Sequence, residues 1–228
     1  MNLLKSRRIL VLSIAGVVLA VAIVTAIIIA NDPYRGLETE RGNSVDEQTQ
    51  EVVGRRLDLS LAALDAQKKD GGDIDLDLYN SIALDAWTLG DLVLAREISE
   101  EYFTHNNQNY GAWNHYGNIL NAMGDKEGAE AAYLRTIEVA PNVEEYYRDY
   151  MNIVAEDPER DEEVKAILEV AIAATGQTSW NMVTLGNWYE EHGECDRAID
   201  HYEVAADLAP ENENIALDLE ELRATCSE

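Results

Sequence analysis

The chain has 228 residues and carries 44 acidic against 17 basic side chains, a formal net charge of −27. A surface of that sign repels nucleic-acid phosphates and anionic lipid headgroups, so neither is a partner to expect. Two explanations fit the acidity, a basic protein partner or hydration in a salty medium, and its spread over every segment with only five lysines favours the second.

Residues 1–8 hold Lys5, Arg7 and Arg8 and no acid, and Ile9 to Ala30 follows as 22 residues without a charge, interrupted only by Ser13, Gly16 and Thr25. At ~1.5 Å per residue a helix of that length spans about 33 Å, enough for a bilayer core. A cleavable signal peptide is the competing reading. Its apolar region is normally about 7–15 residues, however, and Ile28 is poorly placed for a small-residue cleavage site ending at Ala30. The expectation is an uncleaved single-pass membrane anchor. Beyond it Asp32, Glu38 and Glu40 accompany Arg35 and Arg41, so the basic leader belongs in the cytosol and the rest of the chain on the extracytoplasmic side, the periplasm in a Gram-negative bacterium. That exported part holds 14 basic and 44 acidic residues, a net of −30. Asn31 to Gln50, with Pro33, Gly36 and Gly42 and little apolar content, reads as a flexible linker (31–50).

Glu51 to Lys69 carries Val52, Val53, Leu57, Leu61 and Leu64 before Asp70-Gly71-Gly72 stops it, which predicts an N-terminal capping helix within 51–75. The acids that follow, Asp70, Asp73, Asp75 and Asp77, do not make a calcium loop, because Leu78 and Leu84 stand where the glycine and the closing glutamate are needed. They suit the start of a helix instead.

From here the chain repeats. Gly117 and Gly186, Ala129 and Ala198, and Pro141 and Pro210 are each 69 residues apart, which is one repeat of 34 and one of 35. Gly117 and Ala129 are small residues on successive helical stretches, where bulk would hold the backbones apart, so they mark a close helix crossing. Trp113, Tyr116, Leu120 and Tyr133 fall at helical spacing around it as the apolar stripe to be covered by a neighbour. Gly124-Asp125 ends one helix and caps the next, and Pro141 stops the second. The same frame takes in 76–109, with Tyr79, Ile82, Ala83 and Ala95 in place, and 144–178, degenerate, with Pro158 near its turn and one inserted residue. The units therefore run 76–109, 110–143, 144–178 and 179–212. Glu213 to Cys226, with Ile215, Leu217, Leu219 and Leu222 among acids, predicts a C-terminal capping helix (213–228) that covers the open end of the stack.

The pattern Trp113-x2-Tyr116-Gly117-x2-Leu120, Ala129-x3-Tyr133, Pro141, and its echo Met182-x2-Leu185-Gly186-x2-Tyr189, Ala198-x3-Tyr202, Pro210, resembles the tetratricopeptide (TPR) repeat of membrane-anchored bacterial proteins. The resemblance implies an all-α fold, a right-handed superhelical solenoid of helix-turn-helix repeats, here joined to the N-terminal transmembrane helix. It also implies that the first helix of each repeat lines a concave groove through its second, fifth, ninth and twelfth positions. The ninth position is Asn118, Asn152 and Asn187 in three successive units. An asparagine amide both donates and accepts, which suits the backbone of an extended peptide. Asn114, Asn121 and Arg148 add polar groups and Trp180 an apolar anchor. A carboxylate clamp would need several lysines and arginines, and only Arg148 fits.

Catalytic signatures are absent: no Gly-x-Ser-x-Gly elbow, no Walker loop and no Gly-x-Gly-x-x-Gly loop. His105, His115, His192 and His201 lack metal-ligand spacing. No enzyme activity, cofactor, metal or small-molecule substrate is expected. Cys195, early in the last repeat's second helix, and Cys226, near the end of the capping helix, lie on the same edge of such a stack. Either they form a bridge closing a loop of about 30 residues, worth roughly 3 kcal/mol, or they are two free thiols. The expected function is a scaffold or adaptor that holds a protein or peptide segment, similar in layout to envelope-assembly, secretion and cytochrome c maturation proteins. The alternative is a structural subunit that assembles through its outer helices.

Overall fold

The computed structural model describes residues 32–41 and 45–226. The chain divides into two compact units, Met1–Thr39 and Glu40–Glu228. The described part of the first is a turn, in which the Tyr34 amide donates to Asp32 Oδ1 at 2.9 Å and the Leu37 amide to the Tyr34 carbonyl at 3.0 Å.

Among the described residues no helix is long and apolar enough to cross a membrane. This overturns the expectation of a single-pass membrane protein with an extracytoplasmic repeat domain; the segment Ile9–Ala30 on which it rested lies outside the described residues. The physical reason is that length and apolarity do not coincide in any helix of the described residues. The longest helix among the described residues, Glu47–Asp70, has 24 residues but carries Arg55, Arg56, Lys68 and Lys69 among its acids, and the next longest of them has only 15.

The second unit is all helical among its described residues apart from short turns and one isolated bridge between Glu40 and Asp91. Its helices are α1 (Glu47–Asp70), α2 (Leu76–Leu89), α3 (Leu92–His105), α4 (Tyr110–Met123), α5 (Lys126–Val139), α6 (Glu144–Val154), α7 (Asp161–Thr175), α8 (Ser179–Glu191), α9 (Cys195–Leu208) and α10 (Glu213–Thr225). They pack in chain order, each chiefly on its sequence neighbours, with α2/α3, α4/α5, α6/α7 and α8/α9 as antiparallel hairpins.

Local chemistry explains the hairpins. Gly90 and Gly124 sit at φ 87° and 82°, the left-handed region that closes a helix without a Cβ clash. The next residue, Asp91 or Asp125, then accepts from the backbone N–H of Leu94 or Gly128, so one dipeptide stops a helix and starts the next. The third hairpin departs from this: α6 is only 11 residues, and a 3-10 turn over Pro158–Arg160 precedes α7. There Arg160 binds Glu130 of α5 through both terminal nitrogens, at 2.6 and 2.9 Å, and Glu163 through Nε and Nη2. Where the first two hairpins turn on Gly-Asp, a charged fork here ties the start of α7 back to α5.

The second and fourth hairpins close over small residues. A Cβ on Gly117 would stand 2.6 Å from Tyr133 Cε1, and one on Gly186 2.7 Å from Tyr202 Cδ2. Ala129 and Ala198 are fully buried at the same crossings. Two apolar clusters result, one around Leu57, Leu64, Tyr79, Ile82 and Tyr102, the other running from Leu120 to Leu222.

The two ends are covered by α1 and α10. Val53, Leu57 and Leu64 of α1 are buried, and Arg56 grips the buried Asp85 of α2 through Nε at 2.8 Å and through Nη2. On α10, Ile215, Leu219 and Leu222 are buried. Val52 and Leu217, expected on these apolar faces, are exposed at 48% and 61%. Helical phase accounts for both: Val52 lies about 100° from Val53, and Leu217 about 200° from Ile215. Within the stretch read as a free linker, Arg41 is instead held. Its amide donates to the Gly90 carbonyl at 2.9 Å, and its guanidinium donates to the Trp87 carbonyl and lies over the Trp87 ring at 3.9 Å.

Candidate functional site

The asparagines expected to line a groove belong to α4, α6 and α8, the first helices of three hairpins. Helix phase sets what each does. The fifth residue of α4, Asn114, is mostly buried and hydrogen-bonds the Asp149 carboxyl of α6, leaving its own Oδ1 buried without a partner. Burial raises the Asp149 carboxyl above its ordinary range despite that bond. Asn121, near the end of α4, accepts from Lys126 Nζ at 2.5 Å, and the same ammonium reaches Glu156 at 2.8 Å, so this position belongs to an ion-paired cluster.

The ninth positions divide into two kinds. Asn118 Oδ1 accepts from the Tyr133 hydroxyl at 2.8 Å, and Asn187 Oδ1 accepts from the Tyr202 hydroxyl. Asn152 is exposed and makes no side-chain hydrogen bond among the described residues.

Arg148 donates to Glu144 Oε1 at 3.0 Å and lies over the Trp180 ring at 4.5 Å, while Glu144 in turn takes the hydroxyl of Thr178, the N-cap of α8. The cation expected to be a free contact is thus already paired and stacked, as is the ring expected to be an anchor. Three of the seven positions (Arg148, Trp180 and Asn121) are tied into the scaffold and Asn114 bridges two helices, while of the ninth positions Asn152 and Asn187 are exposed and Asn118 is half-buried.

Two recesses lie along the first helices. One of about 290 Å³ lies between α2 and α4, lined by Asn80, Leu84, Gly111, Ala112 and His115 among others. His115 Nε2 is buried there without a partner, its ring edge-on to Trp87, and burial together with Arg41 holds its imidazole below the usual value. The other, of about 300 Å³, lies between α6 and α8, lined by Met151, Ala155, Asp157, Thr184, Asn187 and Glu191. Its floor is braced by His192, stacked on Trp188 at 3.8 Å with Nε2 on Asp161 at 2.8 Å.

Cys195 and Cys226 are bonded, with Cα atoms 5.8 Å apart, which ties the start of α9 to the end of α10. Among the described residues no group of three or more His, Cys, Asp or Glu side chains is placed to hold a metal ion.

Sequence reasoning placed Tyr133 in the apolar stripe and Tyr202 in its echo, and overlooked their hydroxyls. A signal for them existed: the Asn-x14-Tyr spacing occurs at 118/133 and again at 187/202, carried by the same 69-residue offset as the glycines. Arg56–Asp85 and Arg160–Glu130 had no comparable signal.

No protein-family model matches the chain, and no curated protein matches it in sequence. Solved structures do match in fold. The C-terminal part of a TPR repeat-containing protein from Cytophaga hutchinsonii superposes with TM-score 0.59 at 17% identity, over 78% of this chain and 70% of that one. YrrB, described as a TPR protein with an unusual peptide-binding site, gives 0.55 at 14% identity over 76% and 86%. MamA (41-end) from Desulfovibrio magneticus RS-1 gives 0.51 at 19% identity over 66% and 84%. The fold of the helical unit is therefore that of TPR proteins.

Proposed function

We propose that this chain is a non-enzymatic TPR scaffold whose four units (76–109, 110–143, 144–178 and 179–212) hold an extended protein or peptide segment along α4, α6 and α8. The segment lies on Asn118, Asn152 and Asn187, with Asn114, Asn121, Arg148 and Trp180 shaping the walls. The supporting observation is the row of amides at one register on three successive first helices, still reachable while the groups around them are already paired. Because Arg148 is paired with Glu144, it is already engaged where a C-terminal carboxylate would need it, so an internal stretch of backbone is the better fit. A preformed wall lowers the ordering cost on the scaffold's side and leaves most of the entropy loss to the segment. Fold gives this class of function and leaves the process open.

Photo-crosslinking in cells from Thr184 and Ala155, beside the row, tests the reading. Capture of a discrete partner that is lost in the Asn118→Ala/Asn152→Ala/Asn187→Ala variant, with helicity unchanged, is the expected result. Unchanged capture rejects the groove. A second reading, assembly through the outer helices, is favoured by one feature: an apolar slot of about 230 Å³ between α5 and α7, walled by Leu134, Ile137, Tyr150, Ile167 and Val170, with Leu134 and Val170 exposed at 43% and 57%. Loss of assembly in Leu134→Ser/Val170→Ser would move the function there.

A further inference from the structure

We propose that Tyr133 and Tyr202 are positioning residues that fix Asn118 and Asn187 as hydrogen-bond donors, so that the groove reads backbone carbonyl oxygens at two stations and leaves the station between them adaptable. The inference rests on the groove reading above and names what the groove recognises.

The geometry recurs as a three-part device. In α4 a glycine, Gly117, leaves room for the Tyr133 ring, whose Cε1 lies where the glycine's Cβ would come within 2.6 Å. The ring crosses the helix at that gap, and its hydroxyl donates to the Oδ1 of the next residue, Asn118, at 2.8 Å. In α8 the same parts recur as Gly186, Tyr202 and Asn187. A tyrosine hydroxyl has one proton to give, and here it is given to the amide oxygen. The oxygen is thereby turned toward the scaffold, and the two N–H groups of the amide are left to point elsewhere. A free asparagine can flip to accept or donate, whereas these two are held as donors.

The other two hairpins lack the device for a reason visible in their sequence. In α6 the glycine is replaced by the buried Met151, and after the inserted residue of this unit the tyrosine's place is taken by the buried Leu168, so no ring can cross and no hydroxyl arrives. In α2 the corresponding pair is Ala83 and Leu84, with Ser99 in place of the tyrosine, and its hydroxyl donates to the Ala95 carbonyl instead. The donors therefore alternate along the stack: fixed at α4, free at α6, fixed at α8. An extended chain offers carbonyls on alternating sides, and a ligand meeting two fixed donors with a flexible amide between them is selected by its backbone and not by its side chains.

Nitrogen-15 relaxation of the asparagine side-chain amides in the full chain tests this without any ligand, with Asn152 as the internal control. Asn118 and Asn187 should be rigid and Asn152 mobile, with Tyr133→Phe releasing Asn118 alone and Tyr202→Phe releasing Asn187 alone. Phenylalanine keeps the ring against the glycine, so a merely structural tyrosine would leave the amides unchanged. Equal mobility at all three asparagines, or no response to the Phe variants, overturns the positioning role. The second arm titrates a capped, uncharged peptide of alternating glycine and alanine, whose only acceptors are backbone carbonyls. Shifts at the Asn118 and Asn187 Nδ2 groups, with affinity about 2- to 12-fold weaker in each Phe variant, are expected from having to order one side chain on binding. Asn118→Asp, which keeps an acceptor for Tyr133 and removes both donors, should abolish the shift at that station. Shifts elsewhere on the first helices but not at these amides overturn the carbonyl assignment and leave the groove standing. Rigid amides with no peptide shift on any first helix reject the groove, and the carbonyl assignment with it.

Discussion

Cutting the Cys195–Cys226 bond by reduction, or by Cys226→Ser, isolates what the cap contributes. The bond spans 31 residues of sequence. Treating its effect as closure of a loop of that length in the unfolded chain gives an entropy of about 12 cal/mol/K, or about 3.7 kcal/mol at room temperature. In a stack whose members touch chiefly their neighbours, that loss should not be shared by the whole molecule. It should appear as opening of α10 from α9, where Ile215, Leu219 and Leu222 are buried. Hydrogen exchange read by mass spectrometry is the assay: amides of 215–225 should exchange up to about 500-fold faster on reduction, the factor that corresponds to about 3.7 kcal/mol, while amides of α2 and α3 stay unchanged. Acceleration below about tenfold at α10, or an equal change in α2 and α3, would refute the reasoning, because the bond would then be redundant or the stack globally cooperative.

Two further outcomes are expected. Gly117→Ala and Gly186→Ala each force a methyl to about 2.6–2.7 Å from a tyrosine ring; overpacking of roughly 1–3 kcal/mol outweighs the gain of about 1 kcal/mol from replacing a helical glycine. Urea titrations should show a net loss of up to about 2 kcal/mol, and a stabilised variant would contradict the close crossing. His192 meets acceptors at both ring nitrogens, the Trp188 carbonyl at 2.7 Å and Asp161 at 2.8 Å, so only the protonated ring fills both. The Trp188 carbonyl first, and Asp161 after it, raise its pKa above 6.5. A folded value raised above the unfolded one means its stabilisation is complete below about pH 6.5 and is lost as pH rises through the folded value. The melting-temperature advantage of the native chain over His192→Gln should therefore shrink as pH rises from below the ordinary imidazole value through the raised one, and a constant or growing advantage would show that the Trp188 carbonyl and Asp161 do not hold the ring protonated.

Much of the helical unit is legible in the chain because its signals are local. Gly124-Asp125 stops one helix and caps the next through atoms three residues apart, and Gly117 with Ala129 can be small for only one common reason, two backbones meeting. Periodicity at 34 and 69 residues then copies a local solution along the stack. The degenerate unit was legible as degenerate, but not what replaces the Gly-Asp turn there, since Arg160 meets Glu130 across 30 residues and two helices. The membrane placement failed differently: it rested on residues 9–30 and the charges flanking them, while the helices of the described residues are charged or short.

By itself, the sequence determined the helix count among 47–225, the hairpin pairing, the small-residue crossings and the register of the asparagine row, because each depends on side-chain size and spacing along one helix. Only the tertiary structure decided which of those asparagines are bound and which are free. Whether a tyrosine hydroxyl reaches Asn118, or a lysine takes Asn121, depends on where a neighbouring helix sets its side chains. A hydrogen bond is decided over tenths of an ångström, and a pattern of spacings fixes position only to about a turn of helix. The same limit made Arg148 look available from its position alone, when Glu144 and Trp180 had already claimed it.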